Sequence, residues 1–248
     1  MTLILTHINK LGIVHAADSN LTSRAGSALG TGDKVFMIPT FKPVRAMPEC
    51  IEWTANGWMF GVRRAIADYG HDKRPGCAEY LRARLETEMT SAEKARSCLF
   101  HIAGFVREPS GDHHPEFYFV RNITAIDTTT GAYLGAGPDF YVSEDFWERD
   151  CKTPSARAAL AAGSFANVYL NGYPDGRVAY WGLNRQFNSF LTAVWSQPSW
   201  KFSPPKTLDE IGLVLELLLN AIGTLFKISN YRAPYIGGHV QTLQLKWP

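Results

Sequence analysis

Cysteine is scarce. Only Cys50, Cys77, Cys98 and Cys151 occur in 248 residues, far apart and without a C-x-x-C or a paired histidine nearby. That spacing argues against a disulfide scaffold and a zinc site, and it leaves the thiols as small buried hydrophobes. Charge of one sign is equally short: 25 Lys plus Arg against 23 Asp plus Glu give a net charge of +2. Neither nucleic acid nor an anionic membrane is implied as a partner by so even a balance. The first residues, Met1 to His7, carry no basic run ahead of an apolar core and do not read as a secretion signal. The longest apolar run, Ile211 to Phe226, is broken by Gly212, Glu216, Asn220 and Gly223. It falls short of the roughly 20 residues of a spanning helix. Repeats and low-complexity linkers are also missing, so the expectation is one domain over residues 1–248, cytoplasmic, without a membrane.

What is present is a large apolar and aromatic content, 46% and 12%, enough to fill a sizeable core. Thr2 to Ile8 and Gly12 to Asp18 are β-type runs around Asn9-Lys10-Leu11 and read as a hairpin. A three-residue loop predicts Thr2 opposite Asp18, Ile4 opposite Ala16 and Thr6 opposite Val14. Apolar residues on both faces predict a sheet covered on both sides. Lys34 to Ile38 and Cys50 to Trp58 read as further strands, and Ala78 to Met89 as a helix with the stripe Tyr80, Leu81, Leu85 and Met89. Ser97 to Val106 and Glu116 to Ile126 read as strands around a polar loop, and residues 128–163 as an irregular stretch. Val168 to Leu170 and Arg177 to Tyr180 read as a hairpin through Asn171-Gly172 and Asp175-Gly176, followed by a helix from Asn184 to Trp195. Thr207-Leu208-Asp209-Glu210 forms a capping box opening the last helix, to Ile228, and Gly238 to Leu245 closes the chain as a strand. The order is α+β, compatible with two antiparallel sheets between helical layers.

Chemistry enters at the start of the chain. A threonine hydroxyl needs a base, and a free α-amine with a reference pKa of about 7.7 to 8 supplies one on the same residue. Thr2, once Met1 is removed, would carry nucleophile and base together. A nearby lysine held cationic by a carboxylate would stabilise the developing alkoxide and keep the amine neutral. Asp18 and Lys34 are the candidates for that pair. On composition alone, each reads as a turn residue on a solvated face.

Thr2 after the initiator Met, Ala16-Ala17-Asp18-Ser19, and Gly32-Asp33-Lys34-Val35 together resemble the proteasome β-subunit family and its bacterial relatives, with matching spacing between the three functional positions. Phe100 to Phe105 with Glu116 to Val120, and Ile236-Gly237-Gly238-His239-Val240, extend the likeness more loosely. The resemblance implies a four-layer αββα sandwich of the N-terminal nucleophile hydrolase fold. It also implies threonine peptidase or amidase activity by acyl transfer on a peptide or amide substrate, with no metal or organic cofactor. Thr22 would then offer main-chain hydrogen bonds to an extended substrate, and the chain would form a homo-oligomer, ring-forming in that family. Two departures keep open the alternative of a non-catalytic scaffold or binding subunit. Ala233-Pro234-Tyr235-Ile236 stands where the family has Asp-x-x-Ser, and Pro48, without an N–H, stands at the ungapped oxyanion-donor position, where Gly57 or Gly61 could replace it only if the segment carries an insertion.

The remaining histidines read as structural. His113 and His114 beside Asp112 fall in a predicted loop tip without two further ligands, while His7, His15 and His101 fall on strands as core or hydrogen-bonded residues. Trp195, Trp200 and Phe202, with Pro198, Pro204 and Pro205, crowd a connector between helices and suggest a surface covered by another copy, or residues that fold back over the last helix.

Overall fold

The computed structural model describes residues 3–22, 27–38, 49–56, 77–95, 97–107, 110–127, 129, 133–143, 154–163, 166–172, 174–199, 201, 203–229 and 236–247. Aliphatic residues at the two ends of the chain build the first sheet. Strand β1 (Leu3–Asn9) pairs antiparallel with β2 (Gly12–Asp18), and β12 (Asn167–Gly172) and β13 (Val240–Lys246) flank them in the order β12-β1-β2-β13. The turn is tighter than expected. Asn9 lies opposite Gly12, so the register runs Ile4 to Ala17 and Thr6 to His15, one residue off the predicted pairing. Gly12 permits this: it sits at φ +145°, and a Cβ there would lie 2.0 Å from the Leu245 carbonyl oxygen on β13. A one-residue slip exchanges the faces of a strand. Leu5 therefore shares a face with Val14 and Ala16 rather than with Ile13 and Ala17.

The second sheet has the order β11-β8-β7-β6-β5, from β5 (Val35–Ile38), β6 (Glu49–Asn56), β7 (Leu99–Arg107), β8 (His113–Arg121) and β11 (Tyr141–Ser143). All its pairings are antiparallel. Two small hairpins complete the strands, β3 (Asn20–Thr22) with β4 (Ala28–Thr31), and β9 (Ala125–Ile126) with β10 (Tyr133–Leu134). Helices are α1 (Cys77–Glu88), the short α2 (Ser91–Lys94), α3 (Pro154–Ala161), α4 (Pro174–Trp195) and α5 (Leu208–Ile228).

Two apolar clusters hold these elements. On one face of the first sheet, Leu3, Leu5, Val14 and Ala16 meet Tyr180 of α4 and Leu215, Leu218, Leu219, Ile222 and Phe226 of α5. Toward the second sheet, Ile8, Ile13 and Leu245 meet Ala103, Phe105, Phe117 and Phe119, with Leu160 of α3. Each fully buried Leu, Ile or Phe contributes roughly 1.5–3 kcal/mol relative to exposure. Leu81 and Leu85 give α1 its buried stripe, which Met89 continues just past the helix end, and α1 lies along β8 and β11. The fold is thus mixed α+β with antiparallel sheets and helices, as expected.

Several elements differ from the sequence-based expectation. The proposed hairpin at 168–180 is instead β12, paired with β1, followed directly by helix. Pro174 occupies the first helical position, where its missing N–H costs nothing, and Tyr180, Leu183 and Phe187 continue the helical stripe toward the sheet. The stretch 128–163 contains α3, an alanine-rich helix also opened by a proline. Helix α5 follows its signals: Thr207 is the N-cap and forms the reciprocal capping box with Glu210. At 21 residues it is long and apolar enough to cross a membrane by length and composition, longer than the apolar run alone indicated. Its buried face, however, is seated on the first sheet.

Candidate functional site

Asp18 ends β2 and Lys34 immediately precedes β5, and the fold brings the two side chains together inside the protein. Lys34 Nζ lies 3.1 Å from Asp18 Oδ1, with both side chains 1% exposed. The reading of either as a solvated turn residue is therefore excluded. Nζ also donates to the Asn20 carbonyl at 2.8 Å. Asp18 Oδ1 accepts the Leu3 N–H at 2.7 Å, and Oδ2 accepts the Gly237 N–H at 3.3 Å. The carboxylate thus ties β1, the Lys34 segment and the entry to β13 together. Burial pushes the Lys34 ammonium below the ordinary lysine range, and the Asp18 charge and hydrogen bond oppose that shift.

The slipped register sets the placement. Continued one step beyond Ile4 and Ala17, it puts Asp18 opposite Leu3, not Thr2. Thr2 itself, with Pro48, Gly57, Gly61 and Ala233 to Tyr235, lies outside the described residues. Thr22 ends β3, opposite Ala28 across a register shift, with β4 occupying one edge of that strand.

The walls around the pair come from Ser19, the 32–34 segment and the closing strand. Ser19 N–H faces the Gly237 and His239 carbonyls at 3.2 and 3.1 Å, and its own carbonyl accepts the Gly32 N–H at 2.9 Å. Ser19 Oγ pairs with His239 Nδ1 at 3.0 Å. Gly238, at φ +76°, leaves room for this contact, since a Cβ there would lie 2.4 Å from Ser19 Oγ. Gln241 accepts the Lys34 N–H through Oε1 at 2.7 Å and donates through Nε2 to the Gly32 carbonyl at 3.2 Å. Sequence reasoning missed Ser19, His239 and Gln241 as parts of one arrangement. Ser19 was visible only as a member of the Ala-Asp-Ser turn, and a glutamine on an alternating strand carries no local signal at all.

A second polar group lies between the sheets. Thr6 Oγ1 is 2.8 Å from His15 Nδ1 and 2.8 Å from His101 Nδ1, while Asn171 Nδ2 is 2.5 Å from His101 Nε2. Burial lowers the His15 pKa to about 3, and burial followed by the nearby His15 lowers that of His101 well below the ordinary range. Both rings are therefore neutral at pH 7, hydrogen-bonded core histidines as their strand positions suggested. His113 and His114 are not at a loop tip: they open β8, opposite Arg107 and Val106, and His114 is buried. Among the described residues no group of three or more His, Cys, Asp and Glu is placed to hold a metal ion.

Chemically, the described site offers a buried, charge-paired cation beside the first residues of the chain, in surroundings where charges act more strongly than in water.

No family model matches the chain, and neither does any curated protein. Solved structures similar to it include the Anbu complex of Pseudomonas aeruginosa, described as a helical assembly, at 13% identity and TM-score 0.48, covering 98% of this chain and 81% of that one. Anbu (ancestral beta-subunit) from Yersinia bercovieri matches at 10% identity and TM-score 0.49, over 98% and 81% of the two chains. A mutant Anbu from Hyphomicrobium sp. strain MC1 matches at 12% identity and TM-score 0.49, over 99% and 83%. The family named from the first residues is corrected on this point: these solved structures are Anbu (ancestral beta-subunit) proteins, a distinct group. At these identities and scores the likeness assigns neither family nor activity.

Proposed function

We propose that the protein is an N-terminal nucleophile hydrolase acting by acyl transfer on peptide or amide substrates, with Thr2 as nucleophile once Met1 is removed. The observation that carries this reading is the position of the buried Lys34–Asp18 pair. The same Asp18 oxygen that faces Lys34 Nζ accepts the backbone N–H of Leu3, the residue covalently joined to Thr2. A pair of opposite charges at 1% exposure is costly to bury, and buried, charge-paired groups of this kind cluster at functional sites.

In this reading Thr2 Oγ attacks the substrate carbonyl while the Thr2 α-amine takes the hydroxyl proton. The C–N bond breaks, the amine leaves with that proton, and an ester on Oγ remains. Water then attacks the ester and gives one proton through the α-amine to Oγ as the C–O bond to Oγ breaks, and the carboxylic acid carrying the water's OH leaves. Lys34 stabilises the alkoxide as it forms and disfavours protonation of the neighbouring amine; Asp18 keeps Lys34 cationic. Thr22, at the end of β3, offers main-chain hydrogen bonds to an extended substrate. The fold reading that goes with this chemistry is the four-layer αββα sandwich. It is supported by two sheets meeting through Ile8, Ile13, Phe105 and Phe119, α5 on the outer face of the first, and α1 along the second. The protein works in the cytoplasm as a homo-oligomer. Large apolar side chains left exposed on the helices, Val178, Trp181, Phe190, Leu213 and Leu217, support the assembly. Of the aromatic connector, Trp195 is half-buried and Trp200 and Phe202 lie outside the described residues.

Intact-mass measurement of the processed protein after exposure to a β-lactone tests the mechanism. The expected result is one adduct per chain, mapped to Thr2 and absent from Thr2→Ala. An adduct that persists in Thr2→Ala, or peptide hydrolysis at full rate by that variant, refutes the reading.

A further inference from the structure

The Lys34 segment is tied to the closing strand through a side chain. The side-chain amide of Gln241, on β13 opposite Ala17, grips both sides of Asp33: Oε1 accepts the Lys34 N–H at 2.7 Å and Nε2 donates to the Gly32 carbonyl at 3.2 Å. One amide thus takes the place of a peptide unit of a neighbouring strand. Its orientation is determined, because a backbone N–H can only donate; the oxygen must face Lys34 and the nitrogen must face Gly32. The same Nε2 lies 3.3 Å from Asp33 Oδ1 and 3.3 Å from His239 Nε2, and His239 Nδ1 is the partner of Ser19 Oγ. On its other side the segment is held by the Gly32 N–H to the Ser19 carbonyl at 2.9 Å, and Lys34 Nζ ends on the Asn20 carbonyl and Asp18.

We infer that Gln241 is a positioning residue for Lys34: its amide sets the backbone from which the buried ammonium reaches Asp18. This rests on the threonine-hydrolase reading for its effect on rate, but not for its effect on the Lys34 backbone. Among the described residues the β5–β6 pairing runs from Val35 with Asn56, and the hydrogen bonds and ion pair of Lys34 go to Gln241, Asn20 and Asp18. Displacing a charge by about 1 Å from its working position costs on the order of 100-fold in rate.

The test uses the processed full chain with Gln241→Leu and Gln241→Glu. The leucine variant removes both hydrogen bonds; the glutamate variant keeps the acceptor for Lys34 N–H and loses the donor to Gly32. Residue-resolved hydrogen exchange should show the Lys34 amide exchanging at least about 10-fold faster in Gln241→Leu, with the Ile13 to Ala16 amides of β2 unchanged. Acylation of Thr2 by a β-lactone should fall about 10–100-fold in maximal rate with the half-saturating concentration unchanged, and Gln241→Glu should lie between parent and leucine. Unchanged Lys34 exchange, or acceleration shared equally by the β2 amides, overturns the inference, since the latter is only a general loss of stability. A parental acylation rate in Gln241→Leu overturns it too. A parent protein that is never acylated defeats the hydrolase reading instead, and Gln241 is then decided by the exchange result alone.

Discussion

Replacing Lys34 with Met tests whether the charge pair is buried as described. The substitution keeps the approximate length of the side chain and removes the ammonium, while Asp18 keeps the backbone donors Leu3 N–H at 2.7 Å and Gly237 N–H at 3.3 Å. Removing one partner of a buried pair typically costs about 3–5 kcal/mol, because the other charge stays desolvated. The two remaining N–H groups place this case near the lower end, about 3 kcal/mol. For a chain of this size that corresponds to a fall of roughly 6–12 °C in thermal midpoint. Urea unfolding followed by circular dichroism at pH 7 measures the loss. The double variant Asp18→Asn/Lys34→Met provides the check on cause: with neither charge present, most of the loss should be recovered, since a neutral pair carries no uncompensated carboxylate. A single-variant cost under about 1 kcal/mol, the range of exposed ion pairs, would refute the reasoning, as would a double variant that is the sum of its parts.

The histidines between the sheets predict acid sensitivity. The His15 pKa is lowered to about 3 in the folded chain against about 6.5 when unfolded, so its stabilising contribution is complete above pH 6.5 and is lost as pH falls toward 3, by about 1.4 kcal/mol per pH unit. Urea midpoints from pH 7 to 4 read this slope, and ring ¹⁵N shifts showing His15 half-protonated near 6.5 would contradict it. Thr207→Ala should cost about 1 kcal/mol by deleting the capping hydroxyl of α5, while Thr207→Ser should cost little; equal losses would show the methyl group, not the cap, to matter. Gly12→Ala should destabilise by more than the roughly 1 kcal/mol of an ordinary glycine replacement, because a Cβ meets the Leu245 carbonyl oxygen at 2.0 Å. A neutral thermal midpoint there would mean that the β1–β2 turn relaxes freely. Light scattering across micromolar concentrations should give a mass above the monomer, and a monomeric mass throughout would exclude assembly.

Local signals in the chain were sufficient where the deciding forces are local. The capping box at Thr207 and Glu210, the stripe Leu81, Leu85 and Met89, and the strands on either side of Asn9 all follow from periodicity and cap chemistry within a few residues. The choice of Asp18 and Lys34 as a pair was also legible, as residue types at strand ends. Their burial was not, because it depends on segments distant along the chain: Gly237, at the entry to β13, is 219 residues from Asp18. The hairpin register slipped for a similar reason: a two- or three-residue turn is nearly equivalent locally, and the close approach of Leu245 to Gly12 selects between them. Arg177 to Tyr180 read as a strand because Asn171-Gly172 and Asp175-Gly176 are turn signals, yet Pro174 and the facing sheet made it helix. Gln241 and the Thr6–His15–His101–Asn171 group lay beyond any reading of the sequence alone. A polar side chain on a strand announces no partner, and only the stacking of two sheets and the return of the last strand decide which hydrogen-bonding groups must satisfy one another.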